Sequence, residues 1–214
     1  MQTEQLIERL SADVAPAPRH ATSVRLLEGV AGGVVVSFVA MWLWLGIRPD
    51  LGSVVATSAF WMKFGYTLVL AAIAFRLTER LGRPGVNAVL WQSMVFLPVL
   101  LLFAMAMIRL IASQPAERAH LIMGASANVC PWRIVVLSLP VFAGTFFGLR
   151  RLAPTRLVVA GAAAGLLAGA AGAWVYAFHC DESAAPFVAI WYTLGIALVG
   201  ALGGMLGQWL LRWR

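Results

Sequence analysis

Apolar residues in this chain come in six long blocks rather than in short alternating runs. The blocks cover roughly 27–47, 54–75, 86–108, 131–149, 157–178 and 187–210. A helix needs about 20 residues at ~1.5 Å rise to cross ~30 Å of hydrocarbon. All six qualify, the fourth with least to spare. The breaks between them carry turn chemistry: Arg48-Pro49-Asp50-Leu51, Gly82-Arg83-Pro84-Gly85, Gln114-Pro115, Ala153-Pro154 and Asp181-Glu182-Ser183. The pattern predicts an all-α integral membrane bundle of six transmembrane helices.

Residues 1–25 are the one long polar stretch. They form a cytoplasmic N-terminal segment, and residues 26–214 form the transmembrane domain. Thr3 is placed to cap a short helix, with Glu4 in its first turn. Leu6, Ile7, Leu10 and Val14 then fall on one helical face. Ala15-Pro16-Ala17-Pro18 ends that helix, because a residue before proline disfavours the α region. The segment has no apolar h-region of the secretory kind, so insertion through the first spanning helix is expected.

Composition agrees with the pattern. Apolar residues make up 61% and charged residues 12% of the chain, about half the charged share of a soluble domain. Membrane lipid is therefore the expected surrounding partner. The net charge of +7 forms no patch that would bind nucleic acid directly; basic residues sit singly or in pairs between apolar runs. With the N-terminus inside, Arg9, Arg19, Arg25, Arg76, Arg80, Arg83, Arg150, Arg151, Arg156, Arg212 and Arg214 fall on the cytoplasmic face. Only Arg48, Arg109, Arg118 and Arg133 fall outside. This bias predicts a bacterial inner-membrane protein with both termini cytoplasmic. Trp42, Trp44, Trp61, Trp132, Trp174, Trp191 and Tyr192 fall near the outer ends as an aromatic belt, and Trp209 and Trp213 near the inner end. Gly161, Gly165 and Gly169 recur every four residues, as do Gly200/Gly204 and Gly203/Gly207. Such spacing serves close packing inside one bundle or a homodimer through the Gly-rich helices.

The candidate chemistry centres on two cysteines, Cys130 and Cys180, the only two in the chain. Counting from Ala153, Cys130 lies 23 residues back and Cys180 27 residues on. The difference is about 6 Å of helical rise, which places both thiols at one depth on adjacent helix ends, facing an oxidising compartment. A disulfide, a shared metal ion, or two unrelated small apolar residues all fit that placement. His179 precedes Cys180, and His120 lies in the loop before the fourth span. Cys130, Cys180, His179 and His120 are thus candidate ligands for a transient soft or borderline ion such as Cu, Zn or Cd, with no cofactor at rest. Lys63 is the one charge well inside a span, near the midplane, where it costs ~2.5–3.5 kcal/mol on insertion scales. It needs a backbone carbonyl, a hydroxyl such as Thr67 or Ser58, or an interfacial exit. No histidine pair for haem, no intramembrane carboxylate relay and no catalytic constellation is present, so a non-enzymatic role is expected.

Several segments form a recognisable series: Leu6-Ile7-Glu8-Arg9-Leu10-Ser11-Ala12-Asp13, Gly46-Ile47-Arg48-Pro49-Asp50-Leu51, Phe60-Trp61-Met62-Lys63 with Tyr66-Thr67, and Arg83-Pro84-Gly85. Cys130 and Ser138-Leu139-Pro140 follow, then His179-Cys180-Asp181-Glu182-Ser183, Phe187, Trp191-Tyr192 and Leu210-Leu211-Arg212-Trp213. Together they resemble the NrsF family, membrane anti-sigma factors that negatively regulate an extracytoplasmic-function (ECF) sigma factor. The resemblance covers nearly the whole chain. It implies that Cys130 and Cys180 sense a heavy metal or an oxidative signal and that the inner face then releases the sigma factor. The stripe Leu6, Ile7, Leu10 and Val14 is the expected sigma-binding surface, ordering on its partner as short amphipathic helices do. A small transporter or metal exporter is the alternative, and Lys63 is its one candidate path residue. A thiol oxidoreductase would need a quinone site that no motif suggests.

Overall fold

The computed structural model describes residues 3–12 and 21–212. All regular structure among them is helical: α1 Thr3–Ala12, α2 Ala21–Trp44, α3 Leu51–Val54, α4 Ser58–Leu81, α5 Val89–Met94, α6 Phe96–Ala112, α7 Pro115–Met123, α8 Cys130–Arg150, α9 Leu157–Tyr176, α10 Ala185–Phe187 and α11 Thr193–Leu210. A π turn, Val188–Tyr192, joins α10 to α11. Six segments are long and apolar enough to cross a membrane: 22–44, 58–81, 89–112, 130–150, 157–176 and 185–210. The six-span expectation therefore holds.

Three boundaries differ from the sequence reading. The second span runs to Leu81, six residues beyond the expected end at 75. Its polar last turns stay helical because Glu79 pairs with Arg76 (3.1 Å) and Arg83 (3.0 Å) at helical spacing. The third span breaks at Val95, where Pro98 lacks the N–H that would bond the Met94 carbonyl. The loop before α8 carries the exposed helix α7, with Pro115 at its start.

α9 is the most buried span, and α5–α6 the least. α9 packs on α11, α8, α4 and α2. The glycines make this possible. A Cβ on Gly161 would collide with the Gly203 carbonyl and Gly207 Cα; one on Gly165 would collide with the Val199 carbonyl and Gly200 Cα. α2 and α8 meet in the same way, with Gly29 against Gly144 and Gly33 against Val141. Of the two uses expected for this spacing, close packing inside one bundle is the one seen here, between α9 and α11. Trp42, Trp44, Trp61 and Trp132 are exposed at one end and Trp209 at the other, as a belt requires. Trp174, Trp191 and Tyr192 instead turn inward. Trp174 packs at a tilt on Phe64 and edge-to-face on Phe178, Trp191 Nε1 donates to the Ile122 carbonyl at 2.8 Å, and Tyr192 is fully buried.

This packing predicts a contrast between two glycines. Gly165→Val should destabilise the bundle by about 1–3 kcal/mol, the usual cost of overpacking. Gly32→Ala, where nothing lies within 4 Å of an added Cβ, should be silent. Midpoints of denaturing-detergent titrations of the purified protein measure both; equal midpoints would refute the α9–α11 contact.

Candidate functional site

The turns 45–50 and 177–184 and the start of α8 meet at one end of the bundle. Cys130 opens α8 and is 0% exposed; Cys180 follows α9 and is 3% exposed. The two thiols are unbonded neighbours, with Cys130 donating to Cys180. The juxtaposition expected from the hairpin count is therefore present. Tyr176 and Tyr192 form the apolar wall beside them. The Tyr192 hydroxyl faces the Cys180 sulfur and has no conventional hydrogen-bond partner.

Lys63 belongs to this same end. It is the sixth residue of α4 rather than a midplane residue, because α4 begins at Ser58. Its side chain is 0% exposed. Nζ donates to the Cys180 carbonyl at 2.7 Å and to the Glu182 carbonyl at 2.8 Å, and it lies 5.8 Å from the Tyr192 ring centroid. Among the described residues it forms no ion pair. Backbone carbonyls are thus its acceptors. Thr67 donates within its own helix, to the Lys63 and Phe64 carbonyls, and Ser58 is exposed.

A second cation converges on the same carbonyl. Arg48 Nη1 donates to the Cys180 carbonyl at 3.1 Å, while Nε and Nη2 grip Asp50 at 2.7 and 2.8 Å. Asp181 adds a weaker contact at 3.5 Å. The Arg48 backbone N–H donates to the Phe178 carbonyl at 3.1 Å. Hydrogen bonding to the Asp50 carboxylate raises the Arg48 pKa, and the same bond lowers that of Asp50. The Cys180 thiol is held below its ordinary value, first by the hydrogen bond from Cys130 and then by the Lys63 ammonium, against the opposing effect of burial. Glu182 locks the neighbouring loop: Oε1 accepts from the Ala125 N–H at 2.7 Å. Gly124, at φ +50°, leaves the space that this carboxylate fills.

The histidines do not join the thiols. His179 Nδ1 meets the Gly46 carbonyl at 3.0 Å and Nε2 meets Arg133 at 3.4 Å, so both ring nitrogens are engaged by the protein. A ring protonated on Nδ1 satisfies both contacts. His120 lies exposed on α7. Among the described residues no three His, Cys, Asp or Glu side chains are grouped to hold a metal ion. The four residues of the expected ligand set are thus not gathered at one point; of them, Cys130 and Cys180 are the two brought together. Of the expected sigma-binding stripe, Ile7 is 60% exposed on α1. Val14 and the side chains of Leu6 and Leu10 lie outside the described residues.

Arg48, Asp50, Arg133, Tyr176 and Gly124 are the site residues that sequence reasoning missed as such. Arg48 counted only as a topology charge. The nearby Asp50, two residues on across a proline turn, was the available sign that it is paired.

Comparison with known proteins bears on this arrangement. The family model described as "Negative regulator of sigma F" (NrsF) matches residues 10–213. The "Probable anti-sigma-F factor NrsF" of Azospira oryzae is 39% identical over 213 residues, spanning 100% of both chains. The "Anti-sigma-F factor NrsF" of Caulobacter vibrioides is 38% identical over 223 residues, again spanning 100% of both. No solved structure matches the chain. A match of this extent, over a six-span bundle that brings its two cysteines together, shows that the chain belongs to the NrsF family of negative regulators of a sigma factor.

Proposed function

We propose that this protein is an inner-membrane anti-sigma factor that holds an ECF sigma factor at its cytoplasmic face and releases it when Cys130 and Cys180 react. The observation that carries the reading is the buried thiol pair. The chain's only two cysteines meet at the end of the bundle opposite the start of α2, from which the N-terminal segment extends. The arginine bias supports a cytoplasmic location for that segment.

Two chemistries fit a thiol pair. A soft metal ion displaces both thiol protons and is held by two thiolates. Alternatively, a hydroperoxide takes one electron and one proton from each thiol. An S–S bond forms and the O–O bond breaks, giving water and an alcohol, or two waters from hydrogen peroxide. Switching a 1:99 population to 99:1 requires about 5.5 kcal/mol of differential stabilisation, which a thiolate–metal site can supply. The transporter alternative gains no support from the interior, where α9 fills the centre of the bundle. Three open pockets, of about 410, 470 and 700 Å³, lie near the helix ends.

Two outcomes follow. Replacing Leu6, Ile7 and Leu10 together by Asp should lower co-purification of the sigma factor at least ~100-fold, since each apolar anchor contributes about 1.5–3 kcal/mol on burial. Undiminished co-purification would remove the stripe from the interface. Cys130→Ser and Cys180→Ser should each abolish induction of a sigma-dependent reporter by cadmium or hydrogen peroxide while leaving basal repression intact. A double variant that responds like the wild type would exclude the cysteines as sensors.

A further inference from the structure

Lys63 is the buried charge that the proposed function leaves without a task, and its contacts give it one. We infer that Lys63 is the positioning residue that converts the state of the thiol pair into a movement of α4, and that the Glu79–Ser23 hydrogen bond passes this movement to α2 and the N-terminal arm. The inference rests on the sensing role proposed for Cys130 and Cys180.

The geometry supplies each link. The Lys63 ammonium is fully enclosed, and its acceptors are two carbonyls of the cysteine loop, those of Cys180 and Glu182. Any shift of the Cys180 backbone therefore acts on α4 directly. Such a shift is built into the chemistry. A disulfide draws two sulfurs to ~2.05 Å, nearer than any S–H···S contact. A bridging soft ion, at ~2.3 Å from each thiolate, holds them at a different spacing. In either case the pull falls on Cys180, whose carbonyl Lys63 and Arg48 share, while Phe178 and His179 are held by the 46–48 turn through their own bonds. The ammonium must then follow its carbonyls or lose them, and a buried cation cannot remain without acceptors.

α4 can carry that displacement. It runs without a proline from Lys63 to Glu79, sixteen residues on, about 24 Å along the axis. At that far end Glu79 accepts from Ser23 Oγ on α2 at 2.6 Å and is clamped by Arg76 and Arg83 of its own chain segment. Ser23 is the third residue of α2, at the root of the N-terminal segment proposed to hold the partner. The two ends of α4 thus grip the sensing loop and the root of the binding arm.

The test uses the full-length protein in native membranes with its co-expressed sigma factor. Cys130–Cys180 is closed with hydrogen peroxide and scored by loss of maleimide labelling. Retention of the sigma factor and amide hydrogen exchange over residues 21–28 are then measured. In the wild type, closure should release the sigma factor and speed exchange at the start of α2. In Lys63→Met the bond should still close, but release and faster exchange should both fall about tenfold or more, the size of one lost charge-assisted hydrogen bond. Ser23→Ala, remote from the thiols, should blunt release similarly while leaving closure unchanged. In a Cys130→Ser/Cys180→Ser background, Lys63→Met should add nothing. Undiminished release in Lys63→Met would route the change through α8, to which Cys130 belongs, and overturn the inference. Failure of the bond to close in Lys63→Met would overturn it too, making Lys63 an organiser of the thiols only. If exchange at α2 responds through Lys63 while the sigma factor stays bound, the coupling stands and the sigma-release reading fails.

Discussion

A lysine ammonium buried inside an apolar bundle dictates much of what surrounds it. Lys63 forms no ion pair among the described residues, so its charge is stabilised by carbonyl dipoles and by the Tyr192 ring. Carbonyls of a regular helix are already committed to their own ladder. Carbonyls wholly free for a cation are found where the chain has left helical geometry, and here the segment between α9 and α10 supplies them. Arg48 shares the Cys180 carbonyl with Lys63. Two cations on one oxygen would repel, and the Asp50 and Asp181 carboxylates beside Arg48 offset that. The cysteine loop is thus held by charge on one side and by the His179–Gly46 and Arg48–Phe178 bonds on the other.

Close backbone packing gives that charged end a firm base. α9 meets α11, and α2 meets α8, through glycines whose missing side chains let backbones touch. Interfaces of this kind do not deform by small degrees, because every neighbour is already in contact. In the proposed mechanism a local change at the thiols would then be passed on as displacement of whole helices rather than absorbed around the site. α4 touches this base through α9 but is tied at both ends by polar bonds, which break and reform more readily than packed glycines can shift.

The spans were legible because each is a long apolar block, Lys63 apart, with arginines or turn residues near its ends. The meeting of Cys130 and Cys180 was legible from chain length alone, since an antiparallel hairpin fixes which residues share a depth. The partners of Lys63 were not. They are backbone carbonyls 117 and 119 residues away, and a carbonyl has no side-chain signature. The end of α4 was misplaced because a turn rich in arginine reads as a loop until Glu79 is seen to pair within it. His179 looked like a ligand because it adjoins a cysteine. What removes it from that role is the left-handed turn at Gly46, φ +76°, whose carbonyl receives the ring. Trp191 was assigned to the lipid belt from its position, but an indole N–H within reach of the Ile122 carbonyl is better satisfied inside.

For the sensing role proposed for Cys130 and Cys180, burial of the thiols bears on what kind of signal they would answer. Cys130 is sealed at the first turn of α8 and Cys180 lies under its own loop, so a bulky hydrophilic reductant or oxidant meets protein before sulfur. Cys180 is nonetheless held toward its thiolate by the Cys130 hydrogen bond and the Lys63 charge. Thiolate character makes a sulfur reactive, and enclosure makes it selective. Together they favour a reagent small enough to enter and able to react with both sulfurs: a peroxide that ends in a disulfide, or a soft ion that sheds its water. In the proposed mechanism the same ammonium would help hold Cys180 reactive and carry the outcome along α4. A group that only activated the thiol would need no contact with the loop carbonyls. A group that only braced the loop would need no charge beside the sulfur. The placement of Lys63 satisfies both requirements with one side chain.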